Sequence, residues 1–135
     1  MSPFKTPRNP IPGVVNEVAG RIVDAAFQVH SRLGPGLLES VYEVCLAYEL
    51  SSRGMKVQRQ VTIPIIYDGV SLEAGLRLDL LVEGSVVVEL KTVEDVIPVH
   101  KAQVLTYLKL LGLRLGLLIN FNVPLIKDGI TRIVL

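Results

Sequence analysis

Three residues in the segment RLDLLVEGSVVVELK, positions 77–91, are of types that can build a site for a hard cation: Asp79, Glu89 and Lys91. The segment reads as two strands, Leu76–Val82 and Ser85–Lys91, joined around Glu83-Gly84. Side chains alternate across a strand, so Leu76, Leu78, Leu80 and Val82 share one face with Val86, Val88 and Leu90 of the partner. The opposite face carries Arg77, Asp79 and Leu81 on one strand, and Val87, Glu89 and Lys91 on the other. The apolar faces match only if the connection has an odd number of residues, such as Glu83-Gly84-Ser85, or contains a bulge. A two-residue turn would pair Asp79 with Val88 and send Glu89 to the other side. The odd loop sets Asp79 across from Glu89, with Lys91 two residues along.

Two carboxylates face to face repel, and one of them then holds its proton to higher pH. A cation such as Mg²⁺ removes that cost, because it takes one or two carboxylates and completes its shell with water and phosphate oxygens. Lys91 beside it could orient an attacking water or stabilise charge on a phosphate. The same residues at the same spacing also suit an exposed strand face with ordinary surface ion pairs.

The elements around this pair follow from periodicity. Residues 1–15, with Pro3, Pro7, Pro10 and Pro12, are expected as an extended lead-in to one domain over residues 16–135. Asn16 looks like an N-cap with Glu17 in the first turn. Val18, Ile22, Ala25, Ala26, Val29 and Leu33 then give a helix that stops at Gly34-Pro35-Gly36. Leu38, Val41, Tyr42, Cys45, Leu46 and Leu50 give a second helix, with Gly54 as its stop. A period of two from Val57 to Ile65 marks a strand, on an edge where Pro64 cannot donate. Asp68-Gly69 turns into a short strand, Val70–Leu72. Pro98 opens a third helix to Leu111, and Leu113–Phe121 is a strand. Asp128-Gly129 then suggests a hairpin between Val123–Ile126 and Ile130–Leu135. The expected order is ααββββαβββ, an α/β (α+β) chain with a mixed sheet flanked by helices.

Bulk composition narrows the function classes. Half of the 135 residues are apolar and a fifth charged, enough for a sizeable core and unlike a disordered tail. The positive mean hydropathy leaves apolar surface that favours a homodimer. A net charge of +1 gives no global basic field, although a basic patch can be local. Cys45, the one cysteine, reads as a buried core thiol and excludes both an intrachain disulfide and a cysteine-based zinc cluster. No stretch reaches the length of a membrane span, and the start lacks an apolar signal core, which points to the cytoplasm.

An Asp followed by Glu-x-Lys at the end of the next strand resembles the signature of the PD-(D/E)xK nuclease superfamily. The stretch GLLESVYEVCLAYEL is similar to the pattern that names its GxxExxY family, at Gly36, Glu39 and Tyr42. The resemblance continues through Arg59-Gln60-Val61, the PVHKAQVLTYLKL helix and GLLINF, from about Val29 to Val134. It implies a restriction-endonuclease-like core in which Asp79, Glu89 and the helix residue Glu39 bind Mg²⁺, with Mn²⁺ as a substitute. Lys91 is then the catalytic lysine of a nuclease whose expected substrate is DNA. Glu39 also suits the plainer role of a first-turn acid on the helix dipole. Tyr42 and Glu43, at i+3 and i+4 from Glu39, would share its edge. Gln103 and Tyr107 on the third helix resemble an accessory Gln-x-x-x-Tyr motif lining the active site, with His100 on the same stripe. Arg77 is expected to contact phosphate or to pair with Glu89 or Glu73, and His30 to be structural. The residue before Asp79 is Leu78 rather than proline, a departure from the superfamily pattern at a variable position. Two further readings stand beside this one: a nuclease-fold module that binds nucleic acid or protein without cutting, and a purely structural dimer.

Overall fold

The computed structural model describes residues 9–135. Helix α1 (Gly13–Leu33) and helix α2 (Glu39–Ser52) come first, then strands β1 (Val57–Thr62), β2 (Ile65–Tyr67), β3 (Val70–Leu72), β4 (Arg77–Val82) and β5 (Val86–Lys91). Helix α3 (Pro98–Leu111), strand β6 (Leu115–Asn120), a 3₁₀ turn at Ile126–Gly129 and strand β7 (Ile130–Val134) complete the chain. Five strands form one mixed sheet in the order β1-β4-β5-β6-β7, while β2 and β3 make a separate hairpin. Only β5 and β6 run parallel, with α3 as the crossover between them. No helix among the described residues is long and apolar enough to cross a membrane.

Helices cover both sides of the sheet. Residues Val18, Ile22, Ala25, Ala26 and Val29 of α1 and Leu46 and Leu50 of α2 pack on Leu80, Val82, Val86, Val88 and Leu90. On the other side Val104, Tyr107 and Leu108 of α3 pack with Leu78, Val87, Leu118 and Ile133. Strand β6 is buried along its whole length. A continuous apolar run is what a central strand covered on two faces requires.

This two-sided cover corrects the strict parity expected for β4. Leu80 and Val82 belong to the α1–α2 side, but Leu78 belongs to the α3 side and Leu76 packs there too. The strand rolls over at Asp79, and Val87 lies in a second core instead of on a polar face.

Four features of the described residues also differ from expectation: the start of α1, the first strand, the burial of Cys45 and the last hairpin. Residues 1–8 of the proposed lead-in lie outside the described residues. Helix α1 starts at Gly13, with Pro12 as its N-cap, because the extra turn lets Val15 pack against the core beside Ile11. Asn16 is therefore inside the helix, and its side-chain amide donates to Ile11 O at 3.3 Å. The long strand expected over Val57–Ile65 breaks at buried Ile63 and exposed Pro64, which gives one strand more than expected there. Cys45 is half-buried at the edge of the core.

The fourth difference is the last hairpin, which does not form: Val123–Ile126 is not a strand, and β7 pairs antiparallel with β6 from Leu115↔Val134 to Ile119↔Ile130. The backbone between these strands bonds to side chains instead of a ladder. Asn122 N donates to Asn120 Oδ1 at 3.1 Å, and His30 Nε2 donates to Val123 O at 2.8 Å. Pro124 has no N–H to offer. The turn closes tightly, since a Cβ on Gly129 would lie 2.0 Å from Asn120 O.

Candidate active site

The β4–β5 turn has the three residues Glu83, Gly84 and Ser85, and the ladder pairs Val82↔Val86, Leu81↔Val87 and Leu80↔Val88. One step further in that register, Asp79 faces Glu89. The regular ladder stops there and the side chains take over its bonds. Asp79 N donates to Glu89 Oε1 at 2.7 Å, and Leu90 N donates to Asp79 Oδ2 at 2.8 Å. Each carboxylate is thus fixed by the other strand's backbone. Its second oxygen stays available: Asp79 Oδ1 accepts only a long bond of 3.4 Å from Gln60, and Glu89 Oε2 accepts no protein hydrogen bond among the described residues.

Burial and mutual repulsion shape the protonation of this pair. Glu89 is only 4% exposed, and burial followed by the charge of Asp79 pushes its carboxyl up to about 8. Burial also raises Asp79, against the lowering effect of the Leu90 N–H. Glu39, the first residue of α2, is raised by burial and then by the charge of Asp79. The ammonium of Lys91 lowers all three, which places it within electrostatic reach of each. It forms no direct ion pair among the described residues, where the pairs present are Glu49–Arg53 and Glu43–Arg59.

Glu39 reaches this neighbourhood through the Gly34-Pro35-Gly36 turn, whose two glycines adopt φ 67° and 94°, a left-handed region disfavoured for other residues. Tyr42 fixes that turn and does not line the polar site, contrary to expectation. It is fully buried, stacked on Phe121 with ring centroids 4.5 Å apart. Its hydroxyl donates to Gly34 O at 2.6 Å and accepts from Leu37 N at 3.2 Å. A buried phenol finds partners for its hydroxyl, and here those partners are backbone.

On the α3 side, Tyr107 is 3% exposed and lies beside the Gln103 side chain. Burial and then the charges of Glu89 and Asp79 push the Tyr107 hydroxyl up to about 12, so Tyr107 stands within electrostatic reach of the carboxylates. His100 is used differently: its Nδ1 accepts from Ile97 N at 3.1 Å and caps the start of α3. Arg77 is exposed, pairs with Thr62 in the β1–β4 ladder and has no acidic partner among the described residues.

Three residues to which the sequence analysis assigned no role of their own also lie around these groups. Glu43 is 7% exposed and accepts from Arg59 Nε at 3.3 Å, Arg59 Nη2 at 3.0 Å and the Gln60 amide. Gln60 in turn reaches Asp79. Asn120, beside Lys91 in the parallel ladder, accepts from Val93 N at 3.1 Å and donates to Val93 O at 2.8 Å, which pins the chain as it leaves β5. The only sequence signal for Asn120 was a polar residue closing an apolar run.

The donor set suits a hard divalent cation. It is all oxygen, the acids are held close enough to raise their own proton affinity, and each keeps an oxygen free of a short hydrogen bond. Among the described residues no three His, Cys, Asp or Glu side chains converge as a ready-made metal cage. Asp79 and Glu89 are the two acids that meet here, and Glu39 is related to them by charge alone.

A mixed sheet flanked by helices, with an Asp and a Glu-x-Lys meeting across adjacent strands, is the architecture of a nuclease-like core. The family model of the PD-(D/E)XK nuclease superfamily matches residues 16–133, and the chain belongs to that superfamily. No curated protein and no solved structure matches it. PD-(D/E)XK nucleases typically use Mg²⁺ or another divalent metal.

Proposed function

We propose that this chain is a metal-dependent phosphodiesterase of the GxxExxY type that hydrolyses DNA, with residues 16–135 acting as its domain. The observation that carries the reading is the meeting of Asp79 and Glu89 where the β4–β5 ladder opens, with Lys91 in reach of both. Asp79 and Glu89 would hold Mg²⁺ or Mn²⁺, with Glu39 completing the shell directly or through water. A bound divalent cation supplies a Lewis acid for a phosphate oxygen and lowers the pKa of water. Lys91 donates to the water or to the phosphate oxygen on which charge develops. Gln103 and Tyr107 wall the α3 side, and exposed Arg77 is free to take a neighbouring phosphate. Phosphate contacts of this kind give affinity without base specificity.

Wild type, Asp79→Ala and Lys91→Ala are incubated with supercoiled, linear, branched and single-stranded DNA, with RNA, and with Mg²⁺ or Mn²⁺. Wild type cuts, Asp79→Ala loses both metal binding by calorimetry and cutting, and Lys91→Ala cuts about 10²–10³-fold more slowly, the usual worth of one such donor. Cutting that is equal in all three proteins defeats the reading.

A second reading, a binding module without cleavage, draws on the exposed apolar side chains of α1 and α2, among them Phe27, Val44 and Tyr48. That face is also where a homodimer would form. Nucleic-acid or self-association without cleavage or metal uptake would favour it.

A further inference from the structure

We propose that Gln60 is a positioning residue of the carboxylate site: its amide brackets Glu43 and Asp79 and fixes the direction in which Asp79 presents its free oxygen. The consequence for metal binding rests on the reading just given, whereas the bracket itself belongs to the metal-free protein.

Two independent observations meet at this residue. Among the described residues three non-glycine residues have left-handed backbone, Gln60 at φ 52°, Asp68 at 53° and Glu83 at 53°. Asp68 lies in the β2–β3 turn and Glu83 in the β4–β5 turn, where hairpin geometry calls for positive φ. Gln60 lies inside β1, where nothing about a strand calls for it. The β1–β4 ladder pairs Arg59↔Leu80 and Val61↔Leu78 and omits the step between them, which is Gln60 and Asp79. A strained backbone at one ladder step persists where the surrounding structure holds it there.

The side chain supplies the second observation. Gln60 Nε2 donates to Glu43 Oε1, and the same nitrogen reaches Asp79 Oδ1 at 3.4 Å. An amide NH₂ has two hydrogens and no acceptor, so it can stand between two anions that would otherwise face each other. Glu43 is a fixed anchor, because its other oxygen is taken by Arg59 and the residue is buried. Asp79 is thereby held at Oδ2 by Leu90 N and guided at Oδ1 by the long contact from Gln60, which leaves Oδ1 free of a short hydrogen bond. A lysine or arginine in this place would compete with a metal ion for Asp79, and a glutamate would repel it. A neutral donor does neither.

The test compares wild type with Gln60→Gly, which tolerates the left-handed backbone and deletes the amide, and with the isosteric Gln60→Glu. Exchange of the Leu90 amide proton in metal-free protein, followed by NMR, reports whether Asp79 keeps its orientation. Thermal melting checks the fold, and calorimetry with Mn²⁺ alone reads the site. In Gln60→Gly the melting temperature holds or rises, Leu90 exchanges about tenfold faster and Mn²⁺ binds about tenfold more weakly, the worth of one hydrogen bond to a charged group. Gln60→Glu weakens Mn²⁺ binding or changes its pH dependence, since it adds a further acid between Glu43 and Asp79. Unchanged Leu90 exchange in Gln60→Gly overturns the proposal whatever the metal does. Faster exchange with unaltered Mn²⁺ affinity overturns the service of the bracket to the site. If wild type takes up no Mn²⁺ while Gln60→Gly still loosens Leu90, the metal reading fails and the bracket stands.

Discussion

The two ends of the β4–β5 pair are built on opposite principles. At the turn end, Leu80, Val82, Val86 and Val88 pair in regular register and are fully buried against α1 and α2. One step beyond Leu80 and Val88, Asp79 and Glu89 replace ladder bonds with carboxylate-to-backbone bonds and sit partly dehydrated beside each other. The apolar end gains from leaving water, and the acidic end loses by it. Continuity of the strands forces the second upon the first. An opposed acid pair can be held ready because the neighbouring residues of the same strands are locked in a core.

Breaking the apolar end should have the largest effect on stability. Leu80→Ala leaves a cavity in the α1–α2 core and lowers unfolding free energy by about 2–5 kcal/mol, read from the denaturant midpoint. While the variant remains folded, its Mn²⁺ affinity stays near that of wild type. A loss of affinity as large as that of Asp79→Ala would show that the ends are not separable.

The acidic end should announce itself through pH. The Glu89 carboxyl titrates near 8 in the folded protein and near 4.5 in the unfolded chain, so between those values only the folded state keeps the proton. Unfolding then releases a proton, and stability falls as pH rises. The contribution is complete below about 4.5 and is lost as pH passes through about 8. Asp79 and Glu39 are shifted in the same direction. Metal-free protein should therefore melt several degrees lower at pH 9 than at pH 5, and Glu89→Gln should flatten that decline. A divalent cation replaces the proton, so its affinity should rise with pH across the same window. A wild-type melting profile that is flat from pH 5 to 9 contradicts the buried-pair account.

The smallest effect is expected at His100, which belongs to neither end. His100→Ala removes a helix cap and costs about 1 kcal/mol, with metal affinity unchanged. A tenfold loss of affinity there would return His100 to the site.

Much of this arrangement is legible in the chain itself. Period-two alternation, together with the requirement that apolar faces match, dictates an odd β4–β5 connection and brings Asp79 opposite Glu89. Gly34-Pro35-Gly36 separates two helices and Pro98 opens the third, because glycine and proline restrict or release φ locally. These features are encoded within a few residues of where they act. Only the tertiary structure decides the rest. Strand β4 rolls over at Asp79 because helices press on both faces of the sheet, and a period-two pattern cannot distinguish one covered face from two. The final hairpin gives way to β6–β7 pairing because His30 and Asn120, one of them 93 residues away from its partner, satisfy the intervening backbone. Gln60 turns left-handed and meets Glu43, 17 residues earlier, and Asp79, 19 residues later, partners that only the packing of α2 and β4 on either side of β1 brings within its reach.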